Sequence, residues 1–274
     1  MQSTNQGHAS AKNASRLSKR AKRVAPASNE SDPAKQLRPN FTARFSEMVL
    51  INFEVDARLM NKIVPKGLEP DIYQGAGHIS VVAKTIRNLK CHGFPLSRSF
   101  GSVGLQLYVR EPHRDGYRYG TFFLKHFVQR SVAAWVMSRF TQSEVTQMPM
   151  KVQTAKQPAK RPPDINYQLK VGDRWNDIRI RGRSRVKDIR KDSKIEFILR
   201  HADRYVVNDK GVWRSELQTP GWVIWDVAQA KFDCDVEQLF GSEFVKPMSR
   251  RPASVFLSRG NQVSLSKPEL VEPA

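Results

Sequence analysis

Lys125 and His126 stand side by side in Phe122-Phe123-Leu124-Lys125-His126. In an extended segment successive side chains point to opposite faces, so one of the two must face inward and the other outward. An inward, desolvated lysine is an amine that can attack a carbonyl. An outward lysine lays its stem on apolar neighbours and keeps its ammonium in water, which is the commoner arrangement. His126 and His78 are candidate bases, although satisfied structural histidines are commoner. Glu47 and Glu54 share one predicted strand with Arg44 upstream. A carboxylate pointing into a barrel could orient a polar ligand, and a solvated strand end is an equal reading. Arg179, Arg181, Arg183 and Arg185 recur at every second position, which on a strand puts all four on one face. No aromatics interleave with them to stack on bases, so they suit sequence-independent phosphate contact or simply a solvated basic face. The six histidines and the cysteines Cys91 and Cys234 never fall into a ligand spacing, so no metal and no cofactor is expected.

Elements must position these groups. Residues 47–55 are rich in branched side chains and read as a buried strand. Asp56 is an N-cap for a short helix over 57–64, with Leu59, Met60 and Ile63 at helical spacing, ended by Pro65 and Gly67. Strands follow at 77–87, 102–111 and 117–126, the last two joined through the hairpin signal Asp115-Gly116. Over 129–143, Val132, Trp135, Val136, Arg139 and Phe140 predict a helix with an apolar stripe; Trp135, Trp213 and Trp222 are expected in the core. Strands at 150–154, 165–171 and 175–183, a helix from Asp192-Ser193 through Leu199, and a hairpin around Asn208-Asp209-Lys210-Gly211 complete the pattern. About ten strands and three helices make a β-rich α+β domain.

The chain has 274 residues, with Lys+Arg 46 against Asp+Glu 26 and a net charge of +20. That length suits one large domain or two small ones, with a core that needs no staples. No run approaches the roughly 18 apolar residues of a membrane span. Two cysteines are too few for a disulfide framework, so a reducing, cytoplasmic setting is expected. The charge is uneven. Residues 1–40 carry Lys12, Arg16, Lys19, Arg20, Lys22 and Arg23 with almost no large apolar side chains, the composition of a disordered basic arm. Such an arm also fits phosphate binding or a mitochondrial presequence, although Leu17 and Val24 give it little apolar face. A second basic sector spans 151–194. Turn residues and charges from 246 to 274 predict a flexible C-terminal tail.

Several stretches go beyond pattern. Phe53-Glu54-Val55-Asp56-Ala57-Arg58-Leu59 through Pro65-Lys66-Gly67-Leu68-Glu69 resembles the opening of the YqjF-like family of uncharacterised proteins, grouped with the acetoacetate decarboxylase-like superfamily. Gln106-Leu107-Tyr108-Val109-Arg110, the helix around Trp135, Ile195–Tyr205 and Gly211–Trp222 are similar to its later segments in the same order. The resemblance covers roughly 45–235. It implies a large antiparallel barrel or cone with flanking helices over 41–245, and a pocket inside.

In the decarboxylase, the resemblance implies Schiff-base catalysis by the first lysine of a Gly-x-Pro-Lys-Lys turn, its pKa lowered by the second. Here the turn reads Gln147-Met148-Pro149-Met150-Lys151, so Met150 holds the nucleophile's place unless the register slips by one onto Lys151. Ser102 replaces a pocket acid and Gln106 an arginine. Decarboxylation by that mechanism is therefore not expected. The expectation is a pocket for a small organic acid or keto metabolite, with Lys151, Lys125, Arg110, Glu54, Ser102 and Gln106 as candidate ligand contacts. The alternative is a nucleic-acid-associated protein working through the arm and the arginine face. The oligomeric state is not legible.

Overall fold

The computed structural model describes residues 39–155 and 162–271. The chain opens with β1 (Phe41–Val55), helix α1 (Ala57–Ile63), the two-residue β2 (Glu69–Pro70) and three long strands, β3 (Gly77–Cys91), β4 (Phe94–His113) and β5 (Gly116–Val128). Helix α2 (Ser131–Thr141) leads through β6 (Thr146–Gln147) to β7 (Met150–Thr154), β8 (Asp164–Val171) and β9 (Arg174–Val186). Helix α3 (Lys194–Arg200) precedes the hairpin of β10 (Asp203–Asn208) and β11 (Gly211–Ser215), then β12 (Leu217–Gln218) and β13 (Ile224–Asp233). The chain finishes with α4 (Val236–Phe240), α5 (Val245–Met248), β14 (Ser254–Ser258), β15 (Gln262–Leu265) and β16 (Glu269–Leu270). Asp56 caps α1 as its position predicts, its Oδ1 accepting from the Arg58 amide at 2.7 Å.

This is a β-rich α+β fold built on one large sheet, ordered β16-β11-β10-β5-β4-β3-β1-β14-β13-β9-β8-β7 along its main path. Its pairs are antiparallel apart from β5 with β10 and with β6. β12, which follows β11 directly in the chain, pairs β15, and β15 pairs β1, so the path from β1 through β3, β4, β5, β10 and β11 returns to β1 and curls the sheet into a cone. The main ladder stays open, because β16 and β7 do not pair among the described residues.

The strands β1, β3 and β4 are covered on both faces. Val49, Ile51, Phe53, Ile79, Val81 and Leu105 point outward into one apolar cluster, packed under Tyr167, Ile178 and Phe240. The intervening residues point into the cone, and their cluster holds Leu50, Val82, Ile86, Phe100 and Tyr108. Helix α3 covers the inner face at one end, Phe197 packing on Tyr108 and His78 at ring distances of 5.7 and 5.9 Å.

Two expectations are corrected. Residues 246–274 are not a free tail over their described part: β14 lies between β1 and β13, and β15 pairs β1 and β12. Val255-Phe256-Leu257 provides the apolar content that the surrounding turns and charges mask, and Leu257 is fully buried. Trp135 is 67% exposed, because α2 packs through Ala133, Ala134 and Val136, about one residue round from the expected stripe. The 1–40 arm falls outside the described residues except for Pro39 and Asn40.

Candidate functional site

The inner face of the central strands, made by alternate residues, carries a polar set: Ser80 and Lys84 on β3, Ser102, Gln106 and Tyr108 on β4, Asn52 on β1, all buried. Register fixes their neighbours, Ser80 opposite both Asn52 and Gln106, and Lys84 opposite Ser102. A hydrogen-bond chain follows. Asn52 Nδ2 donates to Ser254 Oγ at 3.0 Å, and Ser80 Oγ donates to Asn52 Oδ1 at 2.5 Å. Tyr108 Oη meets Ser80 Oγ at 2.6 Å and accepts from Gln106 Nε2 at 3.4 Å. Gln106 Oε1 accepts from Arg204 at 3.1 Å, and Arg204 also donates to Thr121. Every member of this chain has a partner, as buried polar groups require. Burial pushes the Tyr108 phenol up to about 12, so it stays protonated.

Lys84 differs from the rest of the set. It is 4% exposed, and among the described residues no carboxylate lies in ion-pair range of its Nζ. The ammonium instead sits 4.6 Å over the Phe45 ring and 5.4 Å from that of Phe123. Its isolation has a structural cause. The register of β1 against β3 shifts between Ser46 and Val49, so Glu47 and Met48 together face Lys84 in a bulge, with Glu47 at φ 48°. The bulge turns the Glu47 carboxylate to Arg87, at 3.1 Å. Gly260 (φ +82°) makes room for the bulged segment: a Cβ there would lie 1.8 Å from the Phe45 carbonyl oxygen. Burial, aided by the positive charge of Arg204, lowers the Lys84 pKa to about 7.

Lys84 and Arg204 face a cavity of about 230 Å³ inside the cone. Phe123 forms part of its wall, lying across Gly104, where a Cβ would meet the ring at 2.8 Å, and stacking on His126 with centroids 4.8 Å apart. His126 Nε2 lies 3.0 Å from Ser102 Oγ. Burial, with the cations Lys84 and Arg204 nearby, pushes the imidazole down to about 3, so it is neutral. The buried end of the cavity thus holds one amine poised between its two protonation states, one guanidinium paired only to neutral acceptors, and one neutral imidazole. Such an end favours an anion and leaves an amine free to react with a carbonyl. No group of three or more His, Cys, Asp and Glu able to hold a metal occurs among the described residues.

The candidates read from the sequence are divided. Ser102 and Gln106 belong to the inner face beside Lys84 and Arg204. Of the Lys125–His126 pair, the histidine faces the cavity and the lysine is exposed. Lys151 is exposed, its Nζ 4.4 Å over the Trp175 ring. Met150 is buried in the outer-face cluster against Gly101, on the side of β4 away from Lys84. Arg110 donates to Glu69 at 2.9 Å, and Glu54 accepts from Lys194 at 2.7 Å while 3.7 Å from His78, both outside the cavity. Lys194 holds the Glu54 carboxyl below its ordinary range. Arg179, Arg181, Arg183 and Arg185 all lie exposed along β9, Arg181 and Arg185 each 3.6 Å from an aspartate, Asp164 and Asp226. Sequence reading missed Lys84 and Arg204. The signal for Lys84 was there: a lone lysine within Ile79-Ser80-Val81-Val82-Ala83-Lys84-Thr85-Ile86.

The fold has solved counterparts. An enduracididine biosynthesis enzyme, MppR, superposes with a TM-score of 0.58 at 14% identity, over 91% of this chain and 96% of that one. The acetoacetate decarboxylase of Legionella pneumophila gives 0.56 at 12% identity over 99% and 98%. An acetoacetate decarboxylase-like enzyme from Sphingomonas wittichii gives 0.54 at 10% identity over 90% and 100%. No curated protein matches the sequence. The family model of DUF2071, uncharacterized conserved proteins, matches residues 42–262, from β1 to the first residue of β15 and so most of the cone; the chain belongs to that family, on an acetoacetate decarboxylase-like fold.

Proposed function

We propose that the cone binds a small organic acid or keto metabolite at the Lys84–Arg204 end, with Lys84 able to form an imine with a ketone. The observation that carries this is the buried Lys84 amine, which faces a cavity without a carboxylate partner. A buried ammonium without a counter-ion is costly to keep, and a ligand anion or conversion to an imine relieves that cost. Met150 removes the lysine of the decarboxylase turn, but Lys84 supplies an amine from another strand, with Arg204 in place of the second lysine as the charge that favours its neutral form. In the reaction the amine nitrogen attacks the ketone carbon and water leaves. Among the described residues no carboxylic acid lines the buried end to relay protons, so the reading stops at reversible imine formation. A fold relative solved with pyruvate, and again with a pyruvate condensation product, supports a carbonyl acid in such a chamber.

Borohydride trapping with acetoacetate or pyruvate, followed by peptide mass spectrometry, tests this. The expected adduct is on Lys84, is lost in Lys84→Met and rises in yield from pH 6 to 8 as the amine is freed. An adduct on Lys151 or Lys125 instead, or no adduct beside a decarboxylase control that traps, would overturn it. A second reading, phosphate binding by the arginine face of β9, rests on the shared exposure of its four arginines. It requires nucleic-acid affinity that falls steeply with salt and drops when all four become glutamine.

A further inference from the structure

We infer that the ligand of this chamber is an aliphatic monocarboxylate, its carboxylate held by Lys84 and Arg204 and its apolar tail running outward along the cavity. The inference rests on the reading of the cone as an anion-anchored ligand site, and it names the ligand's class. The cavity is polarised from end to end. Its positive groups are confined to the buried end, while Phe45, Ile86, Phe122, Leu124, Val207 and Leu265 form its walls. A short hydrophilic acid would satisfy the two cations and leave those walls facing water. A chain of methylenes covers them and gains the hydrophobic term for each buried group. Beyond Lys84 and Arg204 lies a smaller space of about 50 Å³, bordered by Leu50, Val82, Leu199 and Trp222, too small for the tail. The tail must therefore run the other way, toward Met137 and Thr141 of α2. There the exposed Glu144 borders the cavity, so a second carboxylate at the tail's end would meet a like charge.

Titration calorimetry on the full chain with acetate, butyrate, hexanoate and octanoate tests this, with octanol and suberate as controls. The expected affinity rises up to about fourfold per methylene until the chain reaches the mouth. Octanol, lacking the anion, and suberate, carrying a second one, bind more weakly than octanoate. Met137→Trp, which fills the outer cavity, flattens the series; its folding is checked by melting, and the wild-type series decides the matter if that variant does not fold. If acetate and hexanoate bind equally well while Lys84 still traps acetoacetate, the inference is overturned and the keto-acid reading stands. If no acid of any length binds and nothing traps, both fall.

Discussion

The two faces of β3 and β4 are made by alternate residues of the same strands, yet they differ in kind. The outward face, Ile79, Val81, Ala83, Val103, Leu105 and Leu107, is apolar without interruption and closed by packing. The inward face interleaves Ser80, Lys84, Ser102, Gln106 and Tyr108 with apolar residues and leaves a cavity. One face spends its burial on stability. The other accepts polar groups that need partners, and one of them, Lys84, finds no anion among the described residues. Buried charge without its counterpart marks a candidate site more sharply than the cavity does, because close packing alone would have excluded it.

Four substitutions would break or sharpen that contrast. Leu107→Ala on the outward face should destabilise the fold by about 2–5 kcal/mol, measured by chemical denaturation, because a fully buried position leaves a void. Lys84→Met on the inward face should have the opposite sign. With its folded pKa at about 7 against an ordinary 10.5, the native protein binds fewer protons than the unfolded chain between those values. Stability therefore rises with pH through that window, by up to about 1.4 kcal/mol per pH unit, and the penalty is complete below it. Lys84→Met should raise the melting temperature at pH 7 and flatten this slope; a lower melting temperature would mean that the lysine is paired. Ser102→Ala removes the polar partner of His126 and should cost about 1 kcal/mol. His126 itself, with its pKa pushed to about 3 from 6.5, adds an acid dependence: its contribution is whole above about 6.5 and is lost as pH falls toward 3. Smallest of all, Arg183→Gln on exposed β9 should change stability by less than about 0.5 kcal/mol.

Much of the fold was legible because it depends on local periodicity. The helix after Asp56, the hairpin at Asp115-Gly116 and the strand starting at Gly77 stand where spacing and turn residues put them. β14 was not legible, since a five-residue strand among prolines and arginines acquires its identity from β1 and β13 on either side. The orientation of α2 was misread for a related reason. Val132 and Trp135 make a plausible stripe, but small Ala133 and Ala134 let the helix approach the sheet more closely. In the site, strand alternation left open which of Lys125 and His126 faces inward; the structure selects His126. Lys84 did not stand out, because it lies inside an apolar strand with no motif around it.

The sequence by itself determined the order of the elements, the two-faced character of the central strands and the family resemblance, since all three are written in residue types at short spacing. The tertiary structure alone decided that Lys84 and Arg204, far apart along the chain, share one cavity, and that Glu47 turns away from Lys84. Those facts depend on a bulge in β1 and on the curl that brings β10 round to face β3. Register and closure are set by packing across the whole sheet, and no short stretch of residues carries that information.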